Sequence, residues 1–224
     1  MATIVGPHQG QPLVAAGEPL DQARAAMVMV HGRGATAASI LGLANDLARP
    51  ARPGEEQVEG FAFLALQAAG HTWYPNRFLA PIASNEPYVS SGLAAIANAL
   101  ERVEQAGIPM ERTILLGFSQ GACLALEYAA RHARRYGGVA GLSGALIGPP
   151  DTPRNYPGSL ASTPVFLGCS DVDFHVPKEL VVMSASVLQG LGGDVTLRLY
   201  PNMDHTVNQD EIDNVRAMMQ ALAS

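Results

Sequence analysis

The chain has 224 residues, of which 48% are hydrophobic and 15% charged, and its formal net charge is −6. This composition is typical of a globular protein, and the negative charge argues against nucleic acid or an anionic membrane as a partner, because both attract basic surfaces. Two cysteines are too few for a secreted disulfide framework. The first ten residues lack a basic stretch followed by an apolar one, so we expect no secretory signal, no membrane insertion and a cytoplasmic protein.

Short apolar runs alternate along the chain with longer segments of helical periodicity. The predicted strands are 25–30, 61–66, 113–116, 139–142, 165–167 and 195–200, with 12–16 as a candidate edge strand. The predicted helices are 36–48, 88–105, 120–134, 177–191 and 207–222. This alternation predicts an α/β fold in which helices flank a mostly parallel central sheet, and we expect a single domain over residues 1–224. Ligands of such sheets bind outside the carboxyl ends of the strands.

A serine follows the strand at 113–116 in the pattern Gly-x-Ser-x-Gly. The segment is Gly117-Phe118-Ser119-Gln120-Gly121, and a predicted helix follows it directly. Flanking glycines permit a turn so tight that side chains would clash there, and the turn lifts the serine hydroxyl above the sheet edge. The pattern therefore predicts Ser119 as a nucleophile, although a serine-capped turn is the alternative.

A serine nucleophile needs a base and an acid that orients the base, and both are available after later strands. Asp171, Asp173 and His175 follow the strand at 165–167, and His205 follows the strand at 195–200. We favour His205 as the base, because His175 is too close to the acid along the chain to bridge it to a distant serine. We favour Asp173 as the acid and expect Asp171 to accept backbone N–H bonds instead.

Acyl transfer also needs hydrogen-bond donors for the oxyanion. One predicted donor is the backbone N–H of Gln120, the residue after the nucleophile. The other comes from the glycine-rich turn after residues 25–30, where we assign the N–H of Arg33 and keep Gly34 as the alternative.

Together these residues resemble the phospholipase/carboxylesterase family, the bacterial family VI esterases that are related to acyl-protein thioesterases. The resemblance covers residues 25–222 and rests on five motifs: His31-Gly32-Arg33-Gly34-Ala35, Trp73-Tyr74-Pro75, Gly117-Phe118-Ser119-Gln120-Gly121, Asp173-Phe174-His175-Val176-Pro177 and Met203-Asp204-His205-Thr206. It implies an α/β-hydrolase fold without a large cap domain, and serine esterase activity without a cofactor.

The family also implies which residues carry the chemistry. Its acid stands in an Asp-x-x-Val-Pro context, which Asp173 fits and Asp171 does not, and its histidine precedes the last helix, as His205 does. Its first oxyanion donor follows a His-Gly pair, which here is Arg33. Thioesterases often have Leu-Gly-Asp after His-Gly, and this chain departs from that pattern, which weakens the case for protein thioesters as substrates.

We therefore expect a serine carboxylesterase that hydrolyses small soluble esters with short acyl chains. Only residues 143–164 are available for a cap, which predicts an open site, and Trp73 with Tyr74 is predicted to form a substrate-binding wall unless Trp73 is simply buried. The alternatives are an acyl-protein thioesterase or lysophospholipase, and a ligand-binding module without catalysis.

The sequence also limits which cofactors and partners are expected. The sequence has no Cys-x-x-Cys or His-Glu-x-x-His motif, so we expect no metal or other cofactor. The expected partner is a small-molecule ester, and the family resemblance leaves a homodimer open. Cys123 follows Ser119 by one helical turn and is expected, like Cys169, to be a small buried hydrophobe.

Overall fold

The computed structural model describes residues 6–50 and 57–223, and within them seven strands form one sheet. The strands are β1 (Leu13–Gly17), β2 (Ala25–Val30), β3 (Phe61–Leu66), β4 (Thr113–Phe118), β5 (Gly138–Leu142), β6 (Pro164–Ser170) and β7 (Asp194–Tyr200). The α-helices are α1 (Ala37–Ala48), α2 (Tyr88–Gln105), α3 (Gln120–Arg131), α4 (Lys178–Gly190) and α5 (Gln209–Ala223). Short 3-10 helices lie at Ala69–His71, Ile82–Asn85 and Met110–Arg112.

The sheet has the order β1-β3-β2-β4-β5-β6-β7. β1 pairs antiparallel with β3, and all the other neighbouring strands pair in parallel. The predicted α/β fold with a mostly parallel sheet is confirmed, and the candidate edge strand at 12–16 is β1, shifted by one residue. Because the inner strands are parallel, the loops after β2, β4, β6 and β7 all emerge at one edge.

Helices cover both faces of the sheet, which explains why the inner strands are apolar along their whole length. Every residue of β2 is buried, and its side chains alternate between two core layers. Ala26, Val28 and Val30 pack in the layer formed with α2, α3 and α4. The intervening side chains pack in the layer formed with α1 and α5.

Two predicted helices differ from the structure by more than one residue at an end. The helix predicted over 120–134 ends at Arg131, because His132 leaves helical geometry (φ −120°, ψ 47°) and Ala133 forms a β-bridge with Gly158. The helix predicted over 207–222 begins at Gln209, because Asn208 and Glu211 close its first turn with reciprocal bonds between side chain and backbone of 2.9 Å each.

The connection between β5 and β6 contains no helix, so the structure has no large cap, as expected. The buried carboxylate of Glu127 on α3 holds this connection in place. It accepts hydrogen bonds from the N–H of Ile147 (3.0 Å) and the hydroxyl of Tyr156 (3.1 Å), and it forms an ion pair with Arg154 (3.5 Å).

None of the helices in the described ranges has the length and apolarity needed to span a bilayer.

Candidate active site

Ser119 occupies a strained turn between β4 and α3. Its backbone has φ 54° and ψ −119°, and its N–H donates to Leu142 O on β5 at 2.9 Å. A Cβ at position 117 would lie 2.3 Å from Gly121 O, and a Cβ at position 121 would lie 2.1 Å from Val30 O. Only glycine fits at both positions, and the resulting turn presents the serine hydroxyl at the sheet edge.

A continuous chain of hydrogen bonds links Ser119 to His205 and Asp173. The Ser119 Oγ lies 2.8 Å from His205 Nε2, and His205 Nδ1 lies 2.6 Å from Asp173 Oδ2. An ionised carboxylate only accepts hydrogen bonds, so Nδ1 donates to Asp173. This leaves Nε2 as the acceptor for the serine hydroxyl. The three predicted side chains, each from the loop after a different strand, are therefore brought together with the polarity that proton transfer from Ser119 requires.

The carboxyl group of Asp173 is fully buried and held by three N–H donors. Its Oδ1 accepts the N–H groups of His175 (2.8 Å) and Val176 (3.0 Å), and its Oδ2 accepts from His205. Burial by itself raises the pKa of this carboxyl group, but the hydrogen bonds from His205, His175 and Val176 outweigh it, and the pKa is lowered. Asp173 is therefore a carboxylate at neutral pH.

The structure places the two rival residues outside this chain of bonds. Asp171 accepts the N–H of Asn202 at 2.8 Å, which ties the loop after β6 to the loop after β7. His175 lines the mouth of the site, and its ring centroid lies 4.9 Å from that of His205. Neither side chain bridges the serine and the acid, and Asp171 accepts a backbone N–H as expected, although from the neighbouring loop.

Two backbone N–H groups beside Ser119 have the properties of oxyanion donors. Within residues 6–50 and 57–223, neither the N–H of Arg33 nor that of Gln120 donates to another group. The N–H of Gly34, the alternative donor, is engaged with His71 O at 2.8 Å. A Cβ added at Gly32, the residue before Arg33, would lie 3.3 Å from the Ser119 Cβ, so the turn approaches Ser119 closely. This geometry favours Arg33 over Gly34.

The site opens into a cavity of about 360 Å³. The lining combines the catalytic edge with the loop after β3; it comprises Arg33, Tyr74, Pro75, Asn76, Arg77, Phe78, Ser119, Gln120, Cys123, His175, Val176 and His205. In the described part of the chain, no group of three histidine, cysteine or acidic side chains is arranged to hold a metal ion. The arrangement is suited to nucleophilic acyl transfer by the protein's own side chains.

Comparison with known proteins agrees with this geometry. The family model described as phospholipase/carboxylesterase matches residues 13–223. The chain belongs to the phospholipase/carboxylesterase family. One similar crystal structure is that of a phospholipase/carboxylesterase from Dyadobacter fermentans DSM 18053, whose sequence is 38% identical to this one. The match covers 96% of this chain and 99% of that chain, and the two superpose with a TM-score of 0.88.

Curated relatives within this family match over shorter spans. Acyl-protein thioesterase 1 of Gibberella zeae is 33% identical over 132 residues, which is 55% of this chain and 53% of that protein. A probable carboxylesterase of Oryza sativa subsp. japonica is 28% identical over 145 residues, or 62% of this chain and 54% of that protein. The chain thus spans about half the length of the curated relatives that it matches.

In this member of the phospholipase/carboxylesterase family, the two residues predicted as a substrate wall lie at different depths. Tyr74 is buried and lines the cavity. Trp73 is fully buried and does not line the cavity; its indole N–H donates to His31 O at 2.8 Å. Only Tyr74 is therefore placed to contact a substrate, whereas Trp73 packs behind the wall. Burial raises the pKa of the Tyr74 phenol, which therefore remains protonated at neutral pH.

The loop that forms the wall is held by the side chains of the two residues whose N–H groups are the candidate oxyanion donors. The Gln120 side chain accepts the N–H of Trp73 (2.8 Å) and donates to Tyr74 O (2.7 Å). The Arg33 guanidinium donates to Tyr74 O (2.8 Å), Pro75 O (3.1 Å) and Asn76 O (2.8 Å). The wall and the oxyanion donors thus form one hydrogen-bonded unit.

Sequence reasoning missed this support, as well as the contribution of Asn76 and Arg77 to the lining. Asn76, Arg77 and Phe78 line the cavity, and the buried amide of Asn85 fixes their loop by accepting the N–H of Asn76 (2.9 Å) and donating to Arg77 O (3.2 Å). The Trp-Tyr-Pro motif indicated the loop, but no local pattern indicates which distant side chains hold it.

The cysteine next to the nucleophile is buried, as predicted, but it also contributes to the cavity lining. The Cys123 Sγ lies 3.4 Å from the N–H of Ala145 and accepts it. Burial raises the pKa of this thiol to about 11. It is therefore a protonated, weakly nucleophilic thiol at neutral pH.

Proposed function

We propose that this chain is a serine carboxylesterase that hydrolyses small esters with short acyl chains. The observation that carries the proposal is the unbroken path from the Ser119 hydroxyl through His205 to the buried Asp173 carboxylate, with distances of 2.8 and 2.6 Å. The site opens into a cavity, beside two backbone N–H groups that have no acceptor among the described residues. Membership of the phospholipase/carboxylesterase family supports the same reaction class.

The first step is acylation of the serine. As the Ser119 Oγ attacks the ester carbonyl carbon, its proton moves to His205 Nε2. The carbonyl oxygen becomes an oxyanion, which accepts the N–H groups of Arg33 and Gln120. Asp173 holds the ring with Nδ1 protonated and stabilises the imidazolium that forms. The intermediate collapses when His205 returns the proton to the leaving alkoxide, which departs as an alcohol and leaves an ester on Ser119.

The second step releases the acyl group. A water molecule replaces the alcohol, gives a proton to His205 Nε2 and attacks the acyl-enzyme carbonyl carbon. The same two N–H groups stabilise the second oxyanion. Collapse expels the Ser119 oxygen, which takes the proton back from His205, and a carboxylic acid leaves. The strained backbone of Ser119 and the fixed acceptor at Nε2 mean that little reorganisation is needed in either step.

The preference for short acyl chains rests on the dimensions of the site. The cavity of about 360 Å³ is at the small end of ligand pockets, and the connection between β5 and β6 supplies no cap that would cover a long chain. Most methylenes of a long acyl chain would therefore remain in water and contribute little to binding.

The central test is the Ser119→Ala variant, assayed with 4-nitrophenyl acetate and labelled with a fluorophosphonate. We expect the variant to lose at least about 10³-fold in kcat and to form no adduct, while the parent protein carries the adduct on Ser119. Ser186→Ala on α4 is the matched control, because this serine is exposed and bonds only within its own helix. A folded parent protein without an adduct would instead favour a ligand-binding module without catalysis.

The acyl preference is tested by a series of 4-nitrophenyl esters of increasing chain length. We expect kcat/KM to be highest for chains of about two to six carbons, because those fit within the cavity. A maximum beyond about ten carbons would contradict the proposed substrate class while leaving the catalytic assignment intact.

A second candidate function is that of an acyl-protein thioesterase, favoured by the name of the Gibberella zeae relative, or of a lysophospholipase. Against it, Arg33 stands where the thioesterases often have leucine, and its guanidinium is bound to the wall of the cavity. Turnover of an S-palmitoylated peptide or a lysolipid is compared with that of a short aryl ester. Higher kcat/KM for either long-chain substrate would establish the second candidate.

A further inference from the structure

The cavity has a charge of opposite sign to that of the whole protein. The chain carries a formal net charge of −6, yet two arginines, Arg33 and Arg77, line the cavity together with His175 and His205. No aspartate or glutamate of the described residues lines the cavity. The nearest acid of the site, Asp173, is buried behind His205 and paired with it. A substrate in the cavity therefore faces guanidinium groups and no opposing carboxylate.

Neither arginine has an acidic partner in the described part of the chain. Within residues 6–50 and 57–223, no carboxylate forms an ion pair with Arg33 or with Arg77. The Arg33 guanidinium uses Nη1 and Nη2 to bind three neutral carbonyl groups, which leaves Nε and the second Nη1 hydrogen available. An unpaired arginine beside a cavity is a ready partner for an anionic group of a ligand.

Arg77 is held at the mouth of the cavity. Its backbone is fixed because the buried Asn85 donates to Arg77 O and accepts the N–H of Asn76. Its guanidinium reaches across the mouth, and Nη2 lies 3.5 Å from His175 O on the opposite loop. That long contact is weak, so nearly all the donor capacity of Arg77 remains for a ligand.

The dimensions of the cavity bring both charges within reach of any substrate bound to Ser119. Treated as a sphere, a volume of about 360 Å³ is roughly 9 Å across, similar to the Debye length of about 8–10 Å at physiological ionic strength. Screening by salt therefore does not abolish the attraction of an anionic group inside the cavity.

We propose that the preferred substrates of this enzyme are esters that carry a carboxylate beside the scissile bond, and that Arg77 is the main specificity-determining residue, with Arg33 as its second contact. This inference rests on the proposed esterase function and narrows its substrate class. Arg77 contacts the substrate carboxylate through its guanidinium, whereas Arg33 also supplies a backbone N–H to the oxyanion. The carboxylate takes no part in bond breaking.

The experiment compares two pairs of esters, in each of which a carboxylate is replaced by its neutral methyl ester. One pair, 4-acetoxybenzoate and its methyl ester, carries the charge on the leaving group; the other, mono-4-nitrophenyl glutarate and its methyl ester, carries it on the acyl group. For at least one pair we expect the parent enzyme to hydrolyse the anion with a kcat/KM about fivefold or more above that of its methyl ester. This anion-to-neutral ratio falls when NaCl is raised from 0.05 to 0.5 M. In Arg77→Gln this anion-to-neutral ratio falls by about fivefold, and Arg77→Lys restores part of it.

Arg102→Gln is the matched control, because it removes the same charge from the exposed end of α2 and does not line the cavity. Its anion-to-neutral ratio stays at the parent value. Equal ratios in the Arg77→Gln and Arg102→Gln variants, or a preference for the neutral ester in both pairs, would overturn the inference.

A binding measurement separates this inference from the proposed reaction. The Ser119→Ala protein is titrated with 4-acetoxybenzoate and with its methyl ester, and no turnover is needed. Tighter binding of the anion, lost in the Ser119→Ala/Arg77→Gln double variant, supports the anion site even if the parent enzyme hydrolyses neither ester. Absence of any difference, together with normal hydrolysis of 4-nitrophenyl acetate by the parent enzyme, would reject the anion site and retain the esterase.

Discussion

The catalytic edge of the site and the wall of its cavity are built in different ways. At the catalytic edge, Ser119, Asp173 and His205 each lie within five residues of the end of a parallel strand, so the sheet itself brings them together. The wall at 73–78 lies in the long loop after β3, away from any strand end, and depends on distant side chains, chiefly Gln120, Arg33 and Asn85. Regular structure thus fixes the chemistry, whereas individual hydrogen bonds shape the space that selects the substrate.

The largest expected effect comes from Asp173→Asn, which attacks the catalytic edge directly. The asparagine cannot hold His205 with Nδ1 as the donor as well as the carboxylate does, so we expect kcat to fall by about 10³–10⁴-fold with little change in KM. Steady-state kinetics with 4-nitrophenyl acetate measure this. Asp171→Asn is the matched control and keeps most of the activity; a larger loss in that variant would reassign the acid.

Gly121→Ala tests how strictly the sheet fixes the catalytic edge. The added Cβ would lie 2.1 Å from a backbone carbonyl oxygen of β2, so β2 and the nucleophile turn must separate. We expect the free energy of unfolding to fall by roughly 4 kcal/mol or more, with loss of activity in any protein that folds. Gly190→Ala, where no atom lies within 4 Å, changes stability little. Equal stability of both variants in urea would contradict the role given to Gly121.

A buried carboxyl group supports the loop that carries His205, and it makes stability depend on pH. Burial raises the pKa of Glu211 to about 7. Between its ordinary pKa of about 4.5 and about 7, the unfolded chain ionises while the folded protein keeps the proton, so stability falls as pH rises through this window.

The Glu211→Gln variant removes this pH dependence. The free energy of unfolding of the variant minus that of the parent should rise by on the order of 2–3 kcal/mol between pH 5 and pH 8. Urea denaturation across the pH range measures it. Glu101→Gln, which removes an exposed carboxyl group on α2, serves as the control. Parallel pH profiles for the parent and Glu211→Gln would show that Glu211 titrates normally in the folded protein.

Gln120→Ala should have the smallest of these effects, because it loosens the wall and leaves the catalytic edge intact. The variant keeps the backbone N–H but loses two hydrogen bonds to residues 73 and 74, which are worth about 1–3 kcal/mol of stability. We expect kcat/KM to fall about tenfold and the profile of acyl-chain length to broaden. Ser186→Ala is again the control, and an unchanged profile would separate the Gln120 side chain from substrate selection.

The contrast between edge and wall also explains how far the sequence could predict the molecule. The strands, and the positions of the serine, acid and base, follow from apolar runs and from the residues that succeed them, because parallel strands end at a common edge. The residue type of Trp73 predicts that it is part of the wall, yet it lies behind the cavity, where its indole N–H donates to the carbonyl of His31. Such pairings join segments tens of residues apart and have no local signature.

No sequence pattern assigns a role to the segment before β1, but the structure shows that it supports the wall. His8 is buried, its Nδ1 accepts the N–H of Ala69 at 3.1 Å, and its Nε2 donates to Trp73 O at 2.9 Å. The family match begins at residue 13, so a protein trimmed to that boundary would lose this histidine. Two backbone groups beneath the substrate wall would then lack their partners, and a shortened expression product would report on a looser protein than the 224-residue chain.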